Sequence, residues 1–399
     1  MDIKRLSATS VGHFSIDVLN SSIAMILTYM AGRFDLSVSQ IGFGAMVYTI
    51  FAAMTQPVFG ALADRLRGRW LAAVGVLWTA VFYFAAAWMP NYTAFLTCLV
   101  IGAWGSGAFH AAGMVNANAA GGVRNPTTAM SIFFLFGQAG LAVGPIVAGL
   151  YLERVGLAGM PYAALAVLPV VALMFMWMRH PIVEEARVSA PVADDGNGAR
   201  RHTAAFVVTM FILLIALRST TGQSFTTLLP KFYDDLGIAP SVYGQMLGVF
   251  AFCGALGTFA GGMMGDRYNR RMVIFVSTVL AAPFCVALLQ TTGWLFFVSA
   301  GIAGALLSIP HSIILVMAQQ LLPTRKGMVG GLVLGFMFAS GAVATWIAAF
   351  FADQYGLYAV LMAIAFLPLG AAFCAVMLPS TRRAPASGGA SKPAGAAVS

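Results

Sequence analysis

The chain has 399 residues, of which 60% are hydrophobic and only 9% are charged. Such a small number of charged residues could not cover the surface of a soluble protein. The composition therefore excludes a soluble protein and predicts a polytopic membrane protein. The net charge of +9 would suit nucleic acid, but the basic residues cluster in loops on one predicted side of the membrane. We therefore interpret the charge as a topology signal and expect no nucleic-acid partner.

Twelve apolar stretches recur along the chain, each long enough for a transmembrane helix. They are predicted at 8–31, 39–63, 70–89, 93–118, 127–151, 160–178, 204–229, 241–264, 272–290, 294–319, 327–351 and 357–378. Alternate loops then hold 18 of the 22 Lys and Arg residues, which predicts that both termini lie in the cytoplasm. We expect a multi-pass protein of the bacterial cytoplasmic membrane, surrounded by the lipid bilayer.

A polar interruption at 180–203 divides these spans into two groups of six. Its charged residues, proline and glycine are typical of a cytoplasmic linker. The predicted organisation is an N-terminal six-helix bundle at 1–179 and a C-terminal six-helix bundle at 204–380. Residues 381–399, rich in Ala, Gly, Ser and Pro, are predicted to form a disordered cytoplasmic tail.

The two halves repeat each other at a shift of 202 residues. Ser39-Gln-Ile-Gly42 returns as Ser241-Val-Tyr-Gly244. Gly-Ala-Leu-Ala-Asp-Arg-Leu-Arg-Gly-Arg at 60–69 returns as Gly-Met-Met-Gly-Asp-Arg-Tyr-Asn-Arg-Arg at 262–271. A repeat of six spans predicts two pseudo-symmetric bundles related by an axis along the membrane normal.

The motif at 60–69, between spans 2 and 3, resembles the signature loop of the major facilitator superfamily. The resemblance implies an all-α membrane protein with 12 transmembrane helices in two pseudo-symmetric six-helix bundles, the major facilitator fold. It also implies a gating motif, formed by Gly60, Asp64, Arg65 and Arg69 with Asp266 and Arg267 in the second copy. Asp64 would pair with a neighbouring helix terminus and basic residues when the cytoplasmic side is closed. Alternatively, these charges are only topology signals.

A closer resemblance lies in spans 1, 4, 10 and 11. Its segments are Gly12-His13-Phe14 with Asp17, Gly105–His110, His311–Gln319, Leu322-Pro323 and Gly327-Met328. They resemble the fosmidomycin-resistance branch of the superfamily, which implies drug efflux. That branch usually reads Phe-His-Pro-Glu in span 4. This chain reads Phe109-His110-Ala111-Ala112 there, so it lacks the acidic residue.

Asp17 is the only acidic residue that we place inside the bilayer. A carboxylate within a membrane span costs a few kcal/mol on insertion scales, so it is rarely present without a function. His13, Asp17 and Asn20 are separated by four and three residues. That spacing places their side chains on one face of a helix.

The other ionisable residues within the spans follow the repeat. Arg218 lies 201 residues after Asp17, and His311 lies 201 residues after His110. Spans 1, 4, 7 and 10 line the central cavity of the architecture that the chain resembles. We therefore predict a substrate-binding and coupling site formed by His13, Asp17, Asn20, His110, Arg218 and His311. Alternatively, Asp17 and Arg218 could form a purely structural pair, and His110 and His311 could be neutral and bonded to backbone.

Span 5 contains Gly140, Gly144 and Pro145, with further glycines around them. Small residues allow helices to approach closely, and a proline can bend a helix. The segment resembles the antiporter motif of the superfamily, which favours export. Generic close packing is the alternative.

We interpret the chain as a secondary active transporter that exports a small, anionic compound or drug by alternating access, coupled to protons. An uptake carrier for an organic acid, or a transporter-like sensor that moves nothing, remains as an alternative. We see no nucleophile motif, metal-ligand cluster or phosphate-binding glycine loop with its lysine. We therefore expect no enzyme, no cofactor and no metal site. The expected partners are protons and a small-molecule substrate, and the expected state is a monomer.

Overall fold

The computed structural model describes residues 1–66, 70–122, 126–180, 182, 201–321 and 326–378. Helices are the only regular secondary structure in these ranges, which confirms the predicted all-α class. The N-terminal half contains α1 (Ile3–Ser21), α2 (Ile23–Phe34), α3 (Val38–Met54), α4 (Gln56–Arg65), α5 (Leu71–Ala86), α6 (Tyr92–Gly121), α7 (Pro126–Val155), α8 (Gly159–Ala166) and α9 (Leu168–Trp177). The C-terminal half contains α10 (Arg201–Asp235), α11 (Pro240–Arg267), α12 (Arg270–Gln290), α13 (Trp294–Ser308), α14 (Pro310–Leu321), α15 (Lys326–Tyr355), α16 (Leu357–Ala365) and α17 (Leu367–Met377).

Five of the predicted spans consist of two helices separated by one residue. The separating residues are Ser22, Thr55, Val167, Ile309 and Phe366. All but Ser22 lie one or two residues before a proline, which lacks an N–H and clashes with the carbonyl four residues earlier. These prolines are Pro57, Pro169, Pro310 and Pro368.

Ten helical segments of the described chain are long and apolar enough to cross a membrane. One of them, Ala129–Trp177, combines most of α7 with α8 and α9, and Leu71–Ala86 is apolar but shorter. If α8–α9 is counted apart from α7, and α5 is added, these ten segments become twelve membrane passes. The number twelve itself stays a prediction. Helix α10 begins at Arg201, three residues before the predicted start of its span. Most of the linker and the whole tail lie outside the described residues.

The two halves meet mainly along two helix pairs, α3 with α15 and α7 with α11, and α10 makes smaller contacts with α2 and α3. We call the end of the molecule that carries Arg65, Arg179 and Arg267 the basic face, and the other end the opposite face. In both helix pairs, the cross-half contacts of the described residues lie towards the opposite face. Gly42 of α3 packs against Ala349 and Trp346 of α15. Gly149 of α7 packs against the backbone of Pro240 at the start of α11, and Gly244 of α11 packs against the backbone of α7.

The structure explains the repeated Ser-x-x-Gly segment. The backbone N–H groups of Val38 and Ser39, at the start of α3, donate to the carboxylate of Asp353 at 2.7 and 3.0 Å. The N–H of Ser241, at the start of α11, donates to Glu153 at 3.1 Å. Each carboxylate therefore caps the N-terminus of a helix in the other half, and each following glycine allows close packing. The repeat forms the interface at the opposite face.

These two cross-half caps lead to a prediction about conformation. A capping side chain contributes about 1 kcal/mol, so Asp353→Ala should raise the population open at the opposite face roughly fivefold. Spin labels at Arg33 and Tyr355, exposed residues of α2 and α15, would report the distance between the halves. Asp35→Ala is the matched control, because Asp35 is an exposed carboxylate near the same face. An equal shift in both variants would contradict a specific role for the cap.

Candidate functional site

A cavity of about 480 Å³ lies between the two halves. Its polar lining includes Asp17, Asn20, Ser106 and His110 from the N-terminal half and Arg218, Ser219, Gln223 and His311 from the C-terminal half. On α3, the lining residues at 45–53 come after the cross-half contacts at 38–43, so they lie nearer the basic face. On α15 the lining residues at 337–338 also lie nearer the basic face than the contacts at 345–349. On α7 and α11 the lining residues adjoin the cross-half contacts at 142–149 and 240–248. The cross-half contacts thus separate the cavity from the opposite face.

Asp17 is held between two histidines in the wall of this cavity. Nε2 of His13 lies 3.2 Å from one carboxylate oxygen of Asp17, and Nε2 of His110 lies 3.3 Å from the other. The spacing of four residues brings His13 and Asp17 together on α1, whereas His110 comes from α6. Asp17 is 5% exposed and His13 is 4% exposed, and His13 does not line the cavity. His13 therefore reaches the cavity only through Asp17.

Each histidine uses its second ring nitrogen to bind a backbone carbonyl. Nδ1 of His13 lies 2.8 Å from the carbonyl oxygen of Phe133, and Nδ1 of His110 lies 2.9 Å from that of Ser106. A carbonyl oxygen can only accept, so both Nδ1 atoms must carry hydrogen. In a neutral ring, Nε2 would then present a lone pair to the carboxylate. Favourable contact with Asp17 requires an additional proton between each Nε2 and its carboxylate oxygen.

A chain of hydrogen bonds connects this cluster with α3. The hydroxyl of Tyr48 donates to the side-chain carbonyl of Asn20 at 2.5 Å. The Asn20 amide donates to Asp17 at 3.1 Å and to the Ser106 hydroxyl at 3.0 Å. Tyr48 and Ser106 were not among the predicted site residues. Ser106 precedes His110 by one helical turn, which was the available signal, whereas Tyr48 had none.

The glycines of α7 determine how closely α1 approaches. A side chain at Gly137 would collide with the ring of His13, and one at Gly140 would collide with the backbone of Phe14 and with Asp17. At Gly144 it would collide with Ser21. Pro145 also lines the cavity. The span-5 motif therefore packs against the helix that carries Asp17, and its link with export stays a prediction.

Arg218 and His311 lie in the opposite wall of the cavity. Nε of Arg218 donates to the carbonyl of Leu307 at 2.9 Å. Among the described residues, Arg218 has no ionic partner within 4 Å, and the partners of Asp17 are His13 and His110. The hydroxyl of the adjacent Ser219 is buried, and it has no hydrogen-bond partner in the described part of the chain. Asp17 and Arg218 are therefore not a direct pair in this structure.

The predicted gating motif lies at the basic face. Gly60 and Arg65 belong to α4, whereas the side chain of Asp64 and all of Arg69 lie outside the described residues. In the second copy, Asp266 and Arg267 are exposed, and Asp266 lies 3.9 Å from Arg270 of its own half. The structure leaves the gating role of this motif a prediction.

A helical membrane fold with a cavity between two repeated halves, lined in part by ionisable side chains, defines a membrane carrier for small molecules. A family model for the Major Facilitator Superfamily matches residues 9–232 and again residues 210–398. The chain belongs to the major facilitator superfamily, as its motifs predicted. Family and fold are therefore those of a membrane transporter and not of an enzyme.

Two relatives match nearly the whole chain. It is 30% identical over 386 residues to the "Fosmidomycin resistance protein" of Escherichia coli, a match that covers 94% of this chain and 93% of the relative. It is 28% identical over 379 residues to the "Uncharacterized MFS-type transporter YfnC" of Bacillus subtilis, with 93% and 91% covered. The predicted resemblance to the fosmidomycin-resistance branch is thus confirmed.

Solved structures of other transporters share the fold. A bacterial homologue of the human lysosomal transporter Spinster, in an inward-facing and occupied conformation, superposes with a TM-score of 0.78 at 13% identity, covering 93% of this chain and 95% of that one. A mutant of the nucleoside transporter NupG gives 0.78 at 14% identity, with 94% and 100% covered. A D-xylose-proton symporter gives 0.67 at 14% identity, with 95% and 98% covered.

Proposed function

We propose that the chain is a proton-coupled secondary transporter that exports a small anionic compound from the cytoplasm by alternating access. The observation that carries this proposal is the arrangement around Asp17. A buried carboxylate lies in the cavity wall between two histidines whose Nδ1 hydrogens are already committed to backbone carbonyls.

The hydrogen bonds of this cluster support the proposal of proton coupling. The groups that face Asp17 are His13 on α1 and His110 on α6, with Asn20 bonded to one carboxylate oxygen and Tyr48 behind it. A proton between each Nε2 atom and Asp17 makes the contact favourable. When that proton is lost, the lone pair of Nε2 faces a lone pair of the carboxylate oxygen. The number of protons held should therefore respond to the cavity opening to one side or the other.

The opposite wall of the cavity supports the proposal of an anionic substrate. Arg218 has a guanidinium without an ionic partner in the described residues, and it lines the cavity beside the unpaired hydroxyl of Ser219. A guanidinium can bind a carboxylate or phosphonate through two parallel hydrogen bonds. With Asp17 and its histidines protonated, the cavity would carry net positive charge and attract an anion.

Export and location are supported by the relatives and the charge distribution. The relative from Escherichia coli is named for resistance to fosmidomycin, and removal of a drug from the cytoplasm is one way for a transporter to confer resistance. The excess of Lys and Arg at the basic face is typical of a cytoplasmic side. We therefore assign both termini to the cytoplasm and the protein to the bacterial inner membrane, acting as a monomer.

Gating at the basic face is assigned to Asp64 and its second copy, Asp266. The cross-half contacts of the described residues lie near the opposite face, so the basic face is the end that must close during the cycle. A carboxylate is stabilised by a helix N-terminus and by nearby arginines, which would favour such closure.

Flux in proteoliposomes tests the proposal. An antiporter accumulates labelled fosmidomycin, or another labelled organic anion, when the lumen is more acidic than the exterior. An uptake symporter accumulates it when the exterior is more acidic. We expect accumulation with the acidic lumen and none when the gradient is collapsed. Accumulation with the acidic exterior would contradict export, and absence of flux for every anion tested would favour the sensor alternative.

A further inference from the structure

The groups around Asp17 also form a ligand set for a metal ion, which the sequence analysis did not expect. His13, Asp17 and His110 each offer one possible ligand atom, and these three atoms all lie within 4.8 Å of one another. Among the described residues, this is the one group of three or more His, Cys, Asp or Glu side chains with such convergence. It joins two helices that only the tertiary structure brings together.

The distances within the group suit a tetrahedral ion. Bonds of about 2.0–2.1 Å from a tetrahedral Zn²⁺ set its ligand atoms roughly 3.3 Å apart. Each imidazole nitrogen lies at about this distance from its own carboxylate oxygen of Asp17, 3.2 Å for His13 and 3.3 Å for His110. The two oxygens are different, so an ion would either take both of them as ligands or require the carboxylate to turn one oxygen towards both nitrogens.

The surroundings of both histidines are those of metal ligands. A histidine that binds a metal usually donates its other ring N–H to a carbonyl or carboxylate, which orients the ring. His13 does so to Phe133, and His110 does so to Ser106. Asn20 in turn holds one carboxylate oxygen of Asp17. The donor atoms are thus oriented before an ion arrives.

The donor types select the class of ion. Two imidazoles with one carboxylate suit Zn²⁺ and other divalent transition-metal ions such as Fe²⁺, whereas Mg²⁺ and Ca²⁺ prefer oxygen ligands. Asp17 and His110 line the cavity, so an ion can enter from it, and a fourth ligand can come from water or substrate there. Three protein ligands with a fourth position open to water or substrate are typical of zinc sites that bind a further ligand, in contrast to closed structural sites.

We propose that His13, Asp17 and His110 bind a divalent transition-metal ion of the Zn²⁺ class. The ion would use the same three donor groups that we assign to protons, so the two occupants exclude each other. The site follows from the donor geometry alone, and only its consequence, inhibition of transport by Zn²⁺, rests on the proposed function.

Binding is measured directly on the purified full-length protein without an affinity tag. Isothermal titration with Zn²⁺ is performed in a background that carries His180→Gln and His202→Gln, because these two histidines lie outside the cluster and could bind zinc weakly. His13→Gln and His110→Gln are compared with His311→Gln, a matched change of a histidine in the same cavity that is not part of the cluster. Melting temperatures establish that the variants are folded.

We expect one saturable Zn²⁺ site, weakened at least about tenfold by His13→Gln and by His110→Gln and unchanged by His311→Gln. Mg²⁺ should not compete. Absence of saturable binding, or equal binding in all three variants, would overturn the metal site. Transport without Zn²⁺ binding would reject this inference and leave the proposed function standing. Zn²⁺ binding without transport would support the metal site and contradict the proposed function.

Discussion

Asp17→Asn should abolish accumulation of substrate driven by a pH gradient while substrate exchange across the membrane continues. The amide of asparagine cannot take up and release a proton, so the cluster with His13 and His110 loses the group that its protons bridge. The cavity keeps its size and keeps Arg218 in the opposite wall. Exchange, which needs no net proton movement, should therefore proceed at a rate comparable with the unaltered protein.

Two assays in the same proteoliposomes measure this effect. Accumulation is followed after a pH jump, and counterflow is followed with unlabelled substrate inside and labelled substrate outside. Asp35→Asn is the matched control, since it makes the same change at an exposed carboxylate. If Asp17→Asn accumulates substrate as the control does, Asp17 has no role in coupling. If it also loses counterflow, the residue serves binding or folding instead.

Arg218→Lys should weaken substrate binding by about 1–3 kcal/mol, or roughly 5- to 150-fold, although the positive charge is kept. A lysine cannot reproduce the two parallel hydrogen bonds of a guanidinium. Arg33→Lys is the matched control, because Arg33 is exposed and belongs neither to the proposed site nor to the gating motif. Affinity is measured by titration of the transported anion into purified protein.

A structural role for Arg218 has to be separated from a binding role. Its Nε also holds the carbonyl of Leu307, so the variant's melting temperature must be measured beside its affinity. The double change Asp17→Asn with Arg218→Gln provides a second criterion. Unaltered affinity in both Arg218→Lys and the double variant would remove the main support for an anionic substrate. A loss of affinity at an unchanged melting temperature would support it.

The pattern of the chain was sufficient for the class, the fold and the family. Apolar runs, the bias of basic residues and the repeat at 60–69 and 262–271 predicted a helical membrane transporter of the major facilitator type. The predicted spans agree with the helices, because hydropathy and helix length depend on local sequence. The prolines that divide spans 2, 6, 10 and 12 are also visible in the sequence, although the breaks were not predicted.

The candidate site was only partly accessible to such reasoning. A spacing of four residues placed His13 beside Asp17, because the period of an α-helix is a local property. The shift of 201 residues relates Arg218 to Asp17 and His311 to His110, and all four residues line the cavity. The shift did not predict the partners of Asp17. These are two histidines, and Arg218 is not one of them. That choice depends on the rotation and separation of helices that are distant in the chain.

By itself, then, the sequence determined the transmembrane helices, their repeat and the polar residues within them, since each depends on periodicity and composition along the chain. Only the tertiary structure decided which groups meet. The glycines of α7 allow α1 to come close, the carbonyls of Phe133 and Ser106 orient two imidazoles towards Asp17, and Asp353 caps a helix of the other half. These contacts join atoms of different helices, and their distances depend on how the helices pack, which no local pattern specifies.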